Sequence, residues 1–222
     1  VAKEDFGTKL DYKPGVPRDL RLQIRGNPDT LGPVVKRRFL RVLSRGEPRT
    51  FTGGSGRLEL ANCIFDEGAS LSARVMVNRV WLQHFGRGLV TTPSDFGAQG
   101  ERPSHPGLLD DLAARFIEEG WSLKWLHREI VTSATYRQSA DHRPEMALRD
   151  PDNKWLWRMN RRRLEVEAWR DAMLEVTGQL VLEVGGAPLD LSRADNYRRT
   201  IYGRIDRRDL EPVLQMYDFP DP

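Results

Sequence analysis

The sequence predicts a mostly helical α+β fold: a helix cluster carrying a small antiparallel sheet. Three observations carry this. Apolar residues recur at helical spacing near 72–85, 107–118, 123–136 and 162–177. A strict alternation at Asp19-Leu-Arg-Leu-Gln-Ile-Arg25 places Leu20, Leu22 and Ile24 on one face of a half-buried strand. The composition is 39% hydrophobic and 30% charged, with a mean hydropathy of −0.58, which suits a core inside a charged surface.

The centre is Ser72–Gly88. At about 100° per residue, Ser72, Arg79 and Gln83 share a narrow wet face, and nearly everything else is apolar. Arg74, Asn78 and His84 fall inside the apolar arc. Buried polar groups need partners, so Arg74 is predicted to be largely buried against a carboxylate. Glu165 is the first choice, with Asp171, Asp110 and Asp95 as the others. Gly86 is placed to end the helix in the left-handed conformation. The following loop, Thr91–Gly97, is expected to open a helical turn at Thr92 or Ser94.

The other elements follow in order. Residues 1–18 read as an irregular lead-in broken by Gly7, Pro14, Gly15 and Pro17. Gly26-Asn-Pro28 turns the chain, and Val34-Val-Lys36 suits a short strand. Gly53-Gly-Ser-Gly56 is a flexible connection, not a phosphate loop, because no Lys-Ser/Thr follows it. Leu58–Phe65 suits a helical turn. Pro106 opens the helix whose stripe is Leu108, Leu109, Leu112, Ala113, Phe116 and Ile117, and Gly120 ends it. Ser122 caps the next helix, on which His127 reads as half-buried and locally bonded. Trp155, Trp157 and Met159 alternate as a strand, as does Arg199–Arg204, so the sheet is expected from 20–25, 155–159 and 199–204. A helix is predicted over Arg162–Thr177, with Glu165 inside its apolar arc, and a last one within Arg207–Met216. The whole reads as a single domain over 1–222, with 1–56 the lead-in and 57–222 the helical core, expected to be a piece of a longer chain.

Composition narrows the function classes. No apolar run approaches the ~18 residues of a membrane span. The lone Cys63 excludes an internal disulfide framework and a cysteine metal cluster. The four histidines are dispersed, so no tightly bound transition metal is expected. A net charge of +3 is too small to specify nucleic acid, which stands last among the readings. The candidate site gathers Arg74, Asn78, Trp81, His84, Arg87, Asp95, His105 and Glu165. The leading reading is a structural or binding module, in which Trp81, Trp155, Trp157 and Trp169 and the arginines suit sugar or anion contact. As an enzyme, Glu165, Asp95 or Asp171 with His84 or His105 would supply acid–base pairs, as in carbohydrate cleavage. No nucleophile or metal motif is present.

Several blocks occur in a familiar order. They are Arg74-Val-Met-Val-Asn-Arg-Val-Trp81 with His84-Phe-Gly-Arg-Gly-Leu-Val90, Pro93-Ser-Asp-Phe-Gly97, His105-Pro-Gly-Leu-Leu-Asp110 and Gly120-Trp-Ser-Leu-Lys124. Thr132-Ser-Ala-Thr-Tyr136, Asn160-Arg-Arg-Arg163 and Tyr217-Asp-Phe-Pro-Asp-Pro222 complete the series. Together they resemble planctomycete-specific domain one, a family of unknown function. The resemblance implies an exported protein, periplasmic or at the cell surface, with this domain towards the C-terminal end of a multidomain chain. A c-type cytochrome domain precedes it in such chains. Partners are then neighbouring domains of the same chain; polysaccharide is the further partner class that the tryptophans and arginines suit. Haem would belong to a neighbour, because this chain has no Cys-x-x-Cys-His and is expected to carry no cofactor of its own.

Overall fold

The computed structural model describes residues 17–206 and 208–217. The breakers Gly7, Pro14 and Gly15, the start of the predicted last helix at Arg207, and the closing block beyond Tyr217 lie outside the described residues. The chain divides into two compact units, Val1–Asn160 and Arg161–Pro222.

The first unit is built on α2 (Ala69–Phe85). It follows α1 (Arg57–Phe65) and packs against α3 (Pro106–Glu118) and α4 (Leu123–Thr132). The apolar stripes predicted for these helices meet in one core. Ala73, Val77 and Phe85 of α2, Leu109 of α3 and Leu126 of α4 are fully excluded from solvent. Gly86 ends α2 at φ 75°, and its N–H bonds the Leu82 carbonyl at 2.8 Å. Gly120 and Trp121 take φ of 64° and 61° between α3 and α4. That tight turn seats the Trp121 ring edge-on against Phe116 and Phe65. Ser122 caps α4 by accepting from the Trp125 N–H at 3.3 Å. Arg115 of α3 ties to α4 through Glu129 at 2.7 Å and lies over the Trp125 ring.

The structure corrects several expected elements. The helix predicted over 123–136 stops at Ser133, whose hydroxyl bonds back to the Ile130 carbonyl and accepts from the Tyr136 N–H. A short α5 (Ala134–Arg137) restarts from that cap. A second short helix, α6 (Pro144–Arg149), follows. The sheet is smaller than expected: β1 (Leu20–Gln23) pairs antiparallel with β2 (Leu31–Val35), and no third strand joins among the described residues. Residues 155–159 are a turn-rich loop, because Asn153 and Leu156 adopt left-handed backbone at φ 51° and 55°. The β1 leucines, Leu20 and Leu22, are about half exposed rather than half buried in a core.

The second unit holds α7 (Val166–Val176) and α8 (Pro212–Met216) around Val166, Leu191, Leu210 and Leu214. Residues 199–204 are not a ladder strand: Thr200–Tyr202 is a 3-10 turn, and only isolated bridges flank it, at Arg198 and Gly203. Asp171 fixes that turn, its carboxylate accepting from the Thr200 N–H and hydroxyl at 2.7 Å each. Helix α7 begins four residues later than predicted. Glu165 is its exposed N-cap residue in extended backbone, not a side chain within an apolar arc. Among the described residues no helix is long and apolar enough to cross a membrane.

Candidate functional site

The buried polar residues of α2 act on their own neighbourhood. Asn78 is fully buried and clamps Val90. Its amide donates to the Val90 carbonyl at 3.0 Å and its oxygen accepts from the Val90 N–H at 2.8 Å. The chain can pass so close only because residue 88 is glycine: a Cβ there would lie 2.5 Å from the Val90 oxygen and 2.9 Å from both Asn78 amide atoms. Trp81 is buried and stacks on Phe85 at 4.2 Å. Asn78 and Trp81 therefore build the core rather than line an opening.

The remaining predicted residues spread apart. Arg74 is 31% exposed along its side chain and pairs with Asp110 of α3, which is more exposed still. The pair is thus a surface contact between α2 and α3. The partner is Asp110, one of the expected alternatives, rather than the first choice Glu165, and the expectation of a largely buried arginine is corrected. The reason is that α2 meets α3 along this edge, where Asp110 projects, while Glu165 stands exposed before α7. Asp95 is exposed and satisfies its own loop: its carboxylate accepts from the Gly97 N–H at 2.8 Å, and its carbonyl accepts from the Thr92 hydroxyl at 2.8 Å. Arg87 is exposed. His84, in the last turn of α2, approaches His127 of α4, with Nε2 2.8 Å from Nδ1. His127 is exposed, not half-buried as its place beside the apolar row of α4 suggested.

His105 leads to the most elaborate surface feature. It precedes α3, its Nδ1 lies 2.9 Å from the Ser104 hydroxyl, and its ring meets that of Trp155 edge-on at 5.3 Å. Trp155 is 61% exposed, yet the loop that carries it is pinned at almost every residue. The buried Asp150 carboxylate accepts from the backbone N–H of Lys154 at 2.9 Å and of Trp155 at 2.8 Å. The Asp150 carbonyl accepts from the Trp157 indole at 2.9 Å. Asn153, 2% exposed, bridges the Arg158 carbonyl and the Asn160 side chain at 2.8 Å each. Asn160 then donates to the Phe85 carbonyl at the end of α2. Trp157 is buried, with the guanidinium groups of Arg143 and Arg158 over its ring. The Lys154 ammonium lies 5.8 Å from the Trp155 ring centre.

Sequence reasoning placed His105 in the candidate site but read Trp155 as a strand residue, and it missed what supports them both. The signal for Asp150 and Asn153 was the Asp-Pro-Asp-Asn turn chemistry at 150–153, shortly before Trp155-Leu-Trp157. His127 and Tyr136 were missed as neighbours of His84 because helix-to-helix proximity leaves no local pattern. Among the described residues no group of three or more His, Cys, Asp or Glu side chains could hold a metal ion.

Residues 56–222 match the family model described as PSD1, protein of unknown function (DUF1553). No curated protein and no solved structure matches the chain.

Proposed function

The chain belongs to the PSD1 family of proteins of unknown function, and on that premise we propose that its larger unit is a binding module for polysaccharide, with Trp155 as the contact platform. One observation carries the reading: an aromatic ring left 61% exposed on a loop fixed by buried polar bonds. Exposing an indole forgoes its burial energy, and ordering a loop costs conformational entropy. A sugar ring stacks its apolar face on such a platform, with the His105 ring beside the indole and the Lys154 ammonium over one of its faces as hydrogen-bond donors. Because the loop is already ordered, little freedom is lost on binding. The family resemblance adds the setting: an exported multidomain protein, with haem on a neighbouring domain and none on this chain.

The test is affinity electrophoresis of the whole chain through gels containing carboxymethylcellulose, xylan or alginate. At least one polymer should retard the protein, and Trp155→Ala should run as it does in a blank gel. Trp155→Ala should leave stability within about 0.5 kcal/mol, as for other surface changes. Retardation by none of these polymers, or retardation that survives Trp155→Ala, refutes the assignment.

A further inference from the structure

The indole of Trp157 is a fixed wall. It is buried, and its N–H is committed to the Asp150 carbonyl at 2.9 Å. Two guanidinium groups lie over the ring, the Arg158 carbon 5.0 Å and the Arg143 carbon 5.5 Å from its centre. Both are positioned by the protein itself. Arg143 donates to the Trp157 carbonyl, and Asn153 holds the Arg158 backbone at its N–H and at its carbonyl. Neither has a counter-charge: among the described residues no ion pair involves Arg143, Arg158 or the neighbouring Lys154. Asp141, Glu145 and Asp152 of the same stretch are exposed, and the Asp150 carboxylate is spent on the Lys154 and Trp155 N–H groups. Arg158 is half-buried, and its Nε is shut off from solvent with no hydrogen-bond partner among the described residues.

We propose that the ligand of this loop is an acidic polysaccharide, whose carboxylate or sulfate groups are held by Arg158, Arg143 and Lys154. The inference rests on the reading of Trp155 as a sugar platform and names the class of sugar. A guanidinium points its N–H groups outward in its own plane, so attraction to an aromatic ring leaves them free to donate. A carboxylate or sulfate matches that fork with two charge-assisted bonds. Taking Nε of Arg158 out of water costs free energy that no protein acceptor returns. An oxyanion on the outer nitrogens offsets that cost, and a neutral hydroxyl does so far less. Lys154, with its ammonium 5.8 Å from the Trp155 ring centre, carries the same charge preference to the stacked residue.

The whole chain is run in native gels containing hydroxyethylcellulose, carboxymethylcellulose or cellulose sulfate, which share one backbone and differ in charge. Gels with alginate and with neutral arabinoxylan run alongside. At least one acidic polymer should retard the protein, and neither neutral polymer should; the carboxylated and sulfated gels tell which oxyanion is preferred. Arg158→Gln and Arg143→Gln should each weaken the affinity about tenfold, as for a lost bond to a charged group. Arg158→Lys should recover only part of that loss. Arg45→Gln removes the same charge from an exposed position on another segment and should change nothing. Lys154→Gln, at an exposed side chain, should keep the fold and weaken binding several-fold, so it decides the matter even if an arginine variant fails the check of fold by near-UV circular dichroism. Equal retardation by neutral polymers, acidic retardation that survives Lys154→Gln or a folded Arg158→Gln, or an equal loss in Arg45→Gln overturns this inference and leaves the Trp155 platform standing. Retardation by no polymer, or retardation that survives Trp155→Ala, removes both.

Discussion

The corner after α2 and the β1–β2 hairpin both reverse the chain with the help of side-chain bonds to backbone, but in opposite surroundings. At the corner, Asn78 holds both polar groups of Val90, and both residues are shut off from solvent. At the hairpin, Asp19 accepts from the Arg37 N–H at 3.1 Å and from its guanidinium at 2.9 Å, and Arg21 donates to the Gly32 carbonyl at 2.8 Å. There, both members of the ion pair are nearly a third exposed, and Leu20, Leu22 and Val34 remain more than half exposed. The same bond type thus has different weight in the two places. Where water can replace a lost partner, the loss is small; where it cannot, the orphaned group keeps its full desolvation cost.

The largest expected effect breaks the corner. Asn78→Ala orphans the Val90 N–H and C=O, each costing roughly 1–3 kcal/mol. A loss of about 3 kcal/mol or more in urea unfolding is expected. Asn78→Asp keeps the acceptor but loses the donor and buries a charge, so it should fare no better. Gly88→Ala reaches the same corner from the other side by forcing its Cβ into the Val90 oxygen. A loss under about 1 kcal/mol for Asn78→Ala would mean that water enters the corner and that the contrast with the hairpin is false.

The corner also shows how far sequence alone reaches. The α2 pattern placed Asn78 inside an apolar arc, and from that its burial and its need for a partner followed. The partner itself, a backbone segment twelve residues on, did not follow, because only Gly88 permits the approach and a glycine after a helix reads first as a stop signal. Periodicity identified α2, α3 and α4 because each buries one stripe in a common core. It failed at 155–159, where alternation of Trp155 and Trp157 arises from a pinned loop rather than a pleat. It also failed for β1, whose alternating leucines have no core beneath them among the described residues. The site was legible as residue types, His105 and tryptophan, and not as geometry, since Asp150 and Asn153 act through buried bonds to backbone that leave no spacing rule.

An intermediate case sharpens the comparison. Arg74 and Asp110 join two core helices, yet their pair is open to solvent. A double-mutant cycle with Arg74→Met and Asp110→Asn should give a coupling of about 0.2–1 kcal/mol, as for other exposed pairs, and less at high salt. That is well below the several kcal/mol that a buried arginine would have shown. A coupling above about 2 kcal/mol, insensitive to salt, would place this pair with Asn78 and not with the hairpin.

The smallest effect lies in the hairpin and is read by titration rather than by unfolding. The Arg37 side chain, then its backbone N–H, holds the Asp19 carboxyl below its ordinary value of 3.8. A carboxylate whose folded pKa is depressed binds fewer protons in the folded state than in the unfolded one. Its contribution is therefore fully present above about pH 4, the ordinary carboxylate range, and is lost as pH falls through the folded pKa. Following the Asp19 carboxyl carbon by NMR should show a midpoint below 3.8. In Arg37→Met the midpoint should rise towards that value, though not fully, because the backbone N–H of residue 37 still donates. The Asn78 corner carries no titrating group, so its protection from hydrogen exchange should stay level over the same pH range while the protein remains folded. An Asp19 midpoint unmoved by Arg37→Met would show that the hairpin is held by its backbone ladder alone.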